Sequence, residues 1–401
     1  MNAGVSARGI DRTITLLTLG GFASGANVRL MDPVLPQLSA EFAVTVGLAA
    51  QIVTAYALGY GLMQVGLGIA GDRFGKIRLV TALCFASFLA CIAAAIAQSL
   101  GQLTLARFLC GAAASAIIPI SLAWVGDMLP YDERAATLAR YANGGILGMI
   151  AGQIVGGLVT EYWDWRVGLV MVALVYLTAG FGLLRVAKRD LLIAAAPVAP
   201  AVRLHPLVAI ATMLRRPWSR IVLASVFMEG FTIYASLTFV GMELKSRFGL
   251  GYGVIGLMLA FFAVGGMAYT IGLRRFLPRF HQMRLVVLGS LAAVVGMCGF
   301  ALAPSLLVVP PAMIFIGFGA YMLHNTLQTF ATQLLPEARA TGFSCFATLF
   351  FFSQSIGVAV AALFVDRLGA APIFLAASLI VAAYAAWFAA YGATSMPGRP
   401  A

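Results

Sequence analysis

Apolar residues in this chain run in unbroken blocks of about 20, the length an α-helix needs to cross a bilayer. Polar and charged residues collect between the blocks. Twelve blocks are predicted, at about 13–36, 46–70, 78–98, 101–126, 137–160, 166–186, 220–243, 252–273, 283–303, 306–333, 340–365 and 371–392. A transmembrane barrel would instead alternate apolar and polar residues in short strands. The expected fold class is an all-α membrane protein with twelve transmembrane helices. Composition agrees. The 401 residues are 62% hydrophobic and 10% charged, with a mean hydropathy of +0.97. That is too little charge to cover a soluble core of this size.

The net charge of +12 does not point to nucleic acid, because the bases lie in the loops. About 20 of the Lys and Arg residues fall in alternate connections, which by the positive-inside rule are cytoplasmic. They include Arg8, Arg12, Arg73, Lys76, Arg78, Arg134, Arg140, Arg274, Arg275, Arg279, Arg284 and Arg339. The opposite connections hold Arg166, Lys245, Arg247 and Arg367. Twelve spans put both termini on the cytoplasmic side. No cleavable signal peptide is evident, since Arg8, Asp11 and Arg12 lead into a span followed by more spans. Cys84, Cys91, Cys110, Cys298 and Cys345 all sit in apolar blocks and read as small buried hydrophobes. His205, His281 and His324 show no clustering with carboxylates, so no metal site is expected.

The longest connection, about 187–219, carries Lys188, Arg189, Arg203, Arg215, Arg216, Pro197, Pro200 and Pro206. This Ala/Pro composition suits a linker on the cytoplasmic membrane surface. It divides the chain into 1–186 and 220–401, each with six spans. The halves repeat weakly at an offset near 205. Leu129-Pro130 with Arg134 falls on Leu335-Pro336 with Arg339, Gly152 on Gly357, and Glu161 on Asp366. Two six-helix repeats in pseudo-symmetric bundles are the layout of secondary transporters, whose substrate site lies near the midplane between repeats.

A tight charged hairpin joins the second and third blocks: Gly68-Ile69-Ala70-Gly71-Asp72-Arg73-Phe74-Gly75-Lys76-Ile77-Arg78. Gly71 and Gly75 permit a sharp turn and close backbone approach. Asp72 lies at the membrane edge, within reach of a base or a helix N-terminus. This segment resembles the signature between helices two and three of the major facilitator superfamily, and the resemblance extends over essentially the whole chain. Gly68, Asp72, Arg73, Gly75 and Lys76 match, while Ala70 replaces the usual Leu and Ile77 stands where a second base is common. The second copy, Gly272-Leu273-Arg274-Arg275, has no acid. The resemblance implies a latch that holds an outward-open form by contact with the second half near helix eleven, with Asp127 and Arg134 in the same charge cluster. The bland alternative is that the bases only keep the loop inside.

Helix five carries Gly145, Gly148, Gly152, Gly156 and Gly157. The spacing of four puts Gly148, Gly152 and Gly156 on one face, where another helix can approach closely. The same stretch resembles, in part, the antiporter signature of proton-coupled drug exporters, with Gln153 where Pro is expected and Ala139 where an earlier Gly would be. Arg107, four residues before Gly111, resembles the family's helix-four Arg motif, about 9 Å from the outer end. Arg29 and Asp32 are three apart, on one face of helix one. With Pro33 and Pro36 they resemble the end of helix one in multidrug exporters. A charge inside a bundle is costly unless paired. Asp32 with Arg107 or Arg29 is the natural pair, either as a structural contact or as an ionisable carboxylate open to a cavity.

Glu229 stands near the midplane of helix seven with no base close in sequence. Low dielectric favours the neutral form of such a carboxyl, which suits a group protonated in one facing state and ionised in the other. The alternative is a carboxyl bonded to a neighbouring helix. His324 and Asn325, with Gln328 one turn on, are either a buried hydrogen-bond network or a cavity ligand and proton relay. Tyr56, Tyr60 and Gln64 share a face of helix two. With Phe231 and Tyr234 they form either an aromatic cavity lining or core.

No enzyme motif is found, and the absence of a phosphate-binding glycine loop disfavours ATP-driven transport. No cofactor is called for. The expected function is proton-coupled secondary transport, exporting small amphiphilic or hydrophobic compounds by alternating access. The expected partners are a small-molecule substrate, protons and the lipid bilayer, without nucleic acid. The expected state is a monomer in the cell inner membrane. Two alternatives stay open: a symporter or uniporter for a small metabolite, and a non-transporting receptor or scaffold.

Overall fold

A computed structural model describes residues 7–129, 131–189, 206–276, 281–335 and 339–391. All regular structure among them is helical. The membrane helices are α1 (Ala7–Arg29), α2 (Val46–Ala49, continuing as Gln51–Phe74), α3 (Lys76–Ala95), α4 (Leu100–Ala114, continuing as Ile117–Met128), α5 (Tyr131–Tyr162), α6 (Trp165–Arg189), α7 (Pro217–Glu229 with its continuation to Phe248), α8 (Tyr252–Phe276), α9 (Gln282–Ala301), α10 (Val309–Ala331), α11 (Arg339–Leu368) and α12 (Ala370–Tyr391). Among the described residues, eleven segments are long and apolar enough to cross a membrane. The remaining helix, α1, holds Asp11, Arg12 and Arg29 within its length. Buried apolar side chains form two large clusters, one drawn mainly from residues 14–186 and one from residues 213–388. The protein is an all-α membrane protein of two pseudo-symmetric helical bundles.

Two helices are broken at related places. α1 ends at Arg29 and is followed by a 3₁₀ turn, Asp32–Val34, and a short helix, Leu35–Glu41. Pro33 and Pro36 account for this, since proline lacks the amide proton and restricts the residue before it. α7 widens into a π-turn over Gly230–Tyr234 and then tightens into a 3₁₀ turn over Leu237–Phe239. The 3₁₀ turns lie 205 residues apart, so the repeat seen in the sequence extends to the helix breaks.

Glycine sets the distances between helices. An added Cβ at Gly148 or Gly152 would collide with the backbone of Phe22 or Ala26 on α1, one at Gly156 with Leu30 just beyond its end, and one at Gly157 with Tyr252 on α8. Gly59 and Gly111 bring α2 and α4 together. About 206 residues later Gly265 and Gly317 do the same for α8 and α10. The hairpin between α2 and α3 turns at Gly75, whose φ of 91° is costly for any residue with a Cβ. At the 187–219 connection α6 runs to Arg189, and a helix, Pro206–Arg215, precedes α7. Arg216 and Ser219 donate to the Leu334 carbonyl, at 3.3 and 3.2 Å, tying the start of α7 to the end of α10.

Among the described residues the bundles meet toward one end. Along α2 and α11 the contacts pair Gly47 with Ala362 and Asp366, and Gly61 with Thr348. Between them Ser355 donates to the Thr54 carbonyl at 3.1 Å, and the Tyr60 and Phe351 rings lie 4.0 Å apart. Along α5 and α8, Gly251 meets Glu161, Gly157 meets Tyr252, and Gly256 meets the Gln153 carbonyl. These contacts reach from the base-poor face, which carries Arg166, Lys245, Arg247 and Arg367, to about mid-membrane. The base-poor face is closed.

The glycine geometry separates two neighbours on α5. Gly152→Leu should push α1 off α5 and lower the midpoint of thermal unfolding in detergent by several degrees, since overpacking costs about 1–3 kcal/mol or more. A Cβ at Gly145 meets nothing within 4 Å, so Gly145→Ala should leave the midpoint within about 2 °C of wild type. Equal midpoints for Gly152→Leu and Gly145→Ala would remove the packing role.

Candidate functional site

Three polar assemblies lie inside the bundles. The first is the break in α1. There the Arg29 Nη1 donates to Asp32 Oδ2 at 3.1 Å, with both side chains buried. The other Asp32 oxygen and the Arg29 Nε have no hydrogen-bond partner among the described residues. The guanidinium carbon lies 5.4 Å from the Tyr234 ring centre and 6.0 Å from that of Phe262. A base in the first bundle therefore rests on aromatic faces of the second, an attractive geometry.

The second assembly is Arg107. Of its two sequence-expected roles, pairing with Asp32 is not what the structure has. Its Nη1 donates to Asn27 Oδ1 at 2.5 Å and its Nη2 to the Asn27 carbonyl at 3.0 Å. Tyr56 lies beneath it at 4.4 Å. Asn27 in turn donates to the Cys91 sulfur at 3.4 Å. This network ties α1, α2, α3 and α4 together inside the first bundle. Arg107 and Tyr56 are 1% and 3% exposed, so both act as core here rather than as cavity wall.

The third assembly corrects the expectation that the histidines lie apart from carboxylates. Glu229 is completely buried, and its Oε2 lies 3.0 Å from the His324 Nδ1. The His324 Nε2 lies 3.0 Å from the Gln328 amide nitrogen. If that amide donates, His324 carries its proton on Nδ1 and donates to Glu229. The other carboxylate oxygen, Oε1, has no hydrogen-bond partner among the described residues. Glu229 ends the regular part of α7 just before the π-turn, and such turns recur at functional sites. Gly230 allows the approach, because a Cβ there would collide with Ser353 and the Phe350 carbonyl of α11. The His324 side chain keeps 19% of its surface exposed, while Glu229 keeps none.

Tyr234 joins the first and third assemblies. Its ring touches Arg29 on one side and lies 6.2 Å from His324 and 4.8 Å from Phe350 on the other. A series of contacts through Arg29, Tyr234 and His324 thus links Asp32 to Glu229 across the bundle interface. Phe262, Phe346, Phe350 and Tyr321 complete the aromatic surround. Sequence reasoning does not single out these four. Their one sign along the chain is the helical spacing of Phe343, Phe346 and Phe350 on α11.

The remaining candidates separate. Tyr60 stacks on Phe351 at the interface, and Gln64 and Gln153 are buried there, each with a side-chain oxygen lacking a partner among the described residues. Phe231 stacks on Phe227 with planes 14° apart. Asn325 is half-buried beside His324, and its carbonyl accepts from Thr329. In the hairpin, Lys76 pairs with Asp127 at 2.6 Å. Arg134 donates from its Nε to the Leu129 carbonyl at 2.8 Å. Arg73 lies over Phe74 and Arg78 is exposed. Gly71 packs on Ile120 of the same bundle. The side chains of Asp72, Arg274, Arg275 and Arg339, and the environment of Gly68, lie outside the described residues.

Known proteins align with this architecture. The sequence profile of the Major Facilitator Superfamily matches residues 17–358. An uncharacterised MFS-type transporter of Bacillus subtilis (strain 168), YceJ, is 24% identical over 350 residues, covering 85% of this chain and 86% of that protein. A chloramphenicol resistance protein of Streptomyces lividans is 26% identical over 331 residues, covering 80% of each. Other curated relatives match locally: this chain spans 36% of the length of YwfA of Bacillus subtilis (strain 168) at 28% identity over 150 residues. Among solved structures, a bacterial homologue of the human lysosomal transporter Spinster superposes with a TM-score of 0.80 at 16% identity, covering 99% of this chain and 100% of that one. The fold is that of a multi-pass membrane transporter, not an enzyme. The chain belongs to the major facilitator superfamily.

The Arg29–Asp32 pair makes a thermodynamic prediction. Asp32→Ala should strand a buried guanidinium and destabilise by about 3–5 kcal/mol. The double change Arg29→Met with Asp32→Ala should cost less than Asp32→Ala alone. A double-mutant cycle on unfolding in detergent checks this; a double variant whose cost equals the sum of the two single costs would mean that the pair is not coupled.

Proposed function

We propose that this protein is a proton-coupled secondary transporter that exports small amphiphilic or hydrophobic compounds. The two bundles, residues 1–186 and 220–401 joined by the 187–219 linker, rock about the midplane site. The observation that carries this reading is Glu229, a completely buried carboxylate bonded to a partly exposed His324. Such a pair holds a proton out of bulk water and exchanges it through the imidazole.

The proton steps follow from the contacts. With His324 donating from Nδ1 to Oε2, Oε1 of Glu229 can take a proton without breaking either hydrogen bond. Protonation removes the negative charge from the aromatic site and leaves His324 and Gln328 in place. Loss of that proton restores a charge that needs the imidazole close by, which favours one arrangement of α7 against α10 and α11. Asp32 is held by Arg29 and ranks second as proton carrier. Its coupling would run through Tyr234.

The aromatic surround of Tyr234, Phe262, Phe346 and Phe350 fits an apolar or aromatic substrate with few polar groups. Export is supported by the relative named for chloramphenicol resistance. The base distribution supports both termini in the cytoplasm of a cell inner membrane, with the closed base-poor face outside. The state is then inward-facing, with Lys76 of the hairpin paired to Asp127 of its own bundle. In the outward-facing state Gly68, Gly71, Asp72, Arg73, Gly75, Lys76 and Arg78 would meet the second bundle near α11. The protein works as a monomer.

Purified protein in vesicles with an imposed pH gradient tests the coupling. Transport of a lipophilic probe should follow the gradient in wild type, and transport by Glu229→Gln should be indifferent to it while probe binding changes less than about threefold. Gradient-independent transport by the wild type would sink proton coupling, and retained gradient dependence in Glu229→Gln would move the proton to Asp32.

A further inference from the structure

Five carboxylates lie at the base-poor face, each bonded at or beside the start of a membrane helix. Three act within a bundle. Asp164 accepts from the Arg166 amide at 2.7 Å, at the start of α6. Glu41 accepts from the Trp165 indole at 2.6 Å and pairs with Arg166 at 2.8 Å, at the start of α6. Glu243 accepts from the Ala370 and Ala371 amides at 3.2 and 3.3 Å, at the start of α12. The other two act between bundles. Glu161, at the end of α5, accepts from the Gly253 amide of α8 at 2.9 Å. Asp366, at the end of α11, accepts from the Gly47 amide of α2 at 2.9 Å. Glu161 and Asp366 are 205 residues apart, so each bundle uses the same position to cap a helix of the other.

The backbone is shaped for these bonds. A Cβ at Gly251 would run into the Glu161 carboxylate, and one at Gly47 would lie 2.5 Å from both the Asp366 carboxylate and the Ala362 carbonyl. Unpaired amides at a helix start carry partial positive charge, so a carboxylate acceptor there is charge-assisted. The within-bundle caps survive any rigid-body rocking. The cross-bundle caps cannot, because parting the base-poor ends separates α5 from α8 and α2 from α11.

We propose that Glu161 and Asp366 are the paired latches of the base-poor gate: together they hold that face closed and set the balance between the two facing states. This rests on the alternating-access reading, but it is tested without transport. The Tyr252 ring, at the start of α8 near Glu161, carries the Lys245 ammonium over it at 4.4 Å. Neither group replaces the carboxylate as an acceptor from Gly253.

The test measures distances between spin labels on the full-length protein in lipid nanodiscs. One label pair sits on exposed Gln98 and Ser305 of the base-poor loops, the other on exposed Lys188 and Arg284 at the opposite face. Each of Glu161→Ala and Asp366→Ala should raise the ratio of base-poor-open to base-poor-closed molecules roughly two- to fivefold. The double variant should show about the product, because both act on one two-state equilibrium. The Lys188–Arg284 distance should shorten in parallel. Gly47→Ala, which forces α2 from the Ala362 carbonyl without removing a charge, should shift the ratio in the same direction. Glu243→Ala should lower the unfolding midpoint and leave the ratio unchanged. An unchanged ratio in the double variant, or an equal shift in Glu243→Ala, overturns the proposal. If the double variant does not fold, unchanged ratios in the two single variants and in Gly47→Ala overturn it equally. A failure of gradient-driven transport with these shifts intact would count against the proton reading alone.

Discussion

An ionisable or strongly polar group placed in hydrocarbon must find a partner, and nearly every distinctive feature of this protein follows from that requirement. Arg29 finds Asp32, Arg107 finds Asn27, and Glu229 finds His324. Each pairing in turn needs a local departure from a plain helix or a close helix approach. Proline ends α1 at the Arg29–Asp32 pair. A π-turn follows Glu229, and Gly230 lets α7 settle against α11. The irregular backbone is located where the chemistry is, and it lines the interface rather than the lipid.

Glycine supplies the complementary constraint. Lipid tails offer little hydrophobic drive for helix association, so helices gain by touching at their backbones. The Gly59–Gly111 and Gly265–Gly317 contacts repeat that solution in each bundle. The α5 stripe applies it to α1 and, through Gly157, to α8 of the other bundle. Packing therefore explains this stripe directly. Any bearing on antiport direction comes through the same contact, because α5 abuts both its own α1 and the opposite bundle.

The interior contacts divide by what they join. Arg107, Asn27, Cys91 and Tyr56 bind helices within the first bundle and keep it stiff. Arg29 on Tyr234, Tyr60 on Phe351, Glu161 on Gly253 and Asp366 on Gly47 join the bundles. On the proposed rocking cycle, strong bonds of the first kind and modest ones of the second are needed, since the second would be broken and remade in each cycle. The two caps fit that need: the Glu161 bond is exposed and the Asp366 bond only partly buried, so solvent limits what each contributes.

Much of the architecture is legible along the chain. The length of the apolar blocks locates the membrane helices to within a few residues at most ends, because hydrocarbon thickness and helix rise leave little freedom. The 205-residue repeat, the glycine stripe and the Arg29–Asp32 spacing can be read for the same local reasons. What cannot be read is any pairing between distant helices. Glu229 and His324 stand 95 residues apart, and neither shows the other in its sequence neighbourhood. Arg107, expected to meet an acid, bonds an amide instead. Rotation and depth of each helix are set by how its neighbours pack, so only the tertiary structure decided that α7 turns Glu229 toward α10, that Tyr234 stands between the two carboxylates, and that the base-poor face is the closed one. The sequence by itself determined a membrane protein of paired helical repeats with a few costly charges inside. The tertiary structure decided which of those charges meet.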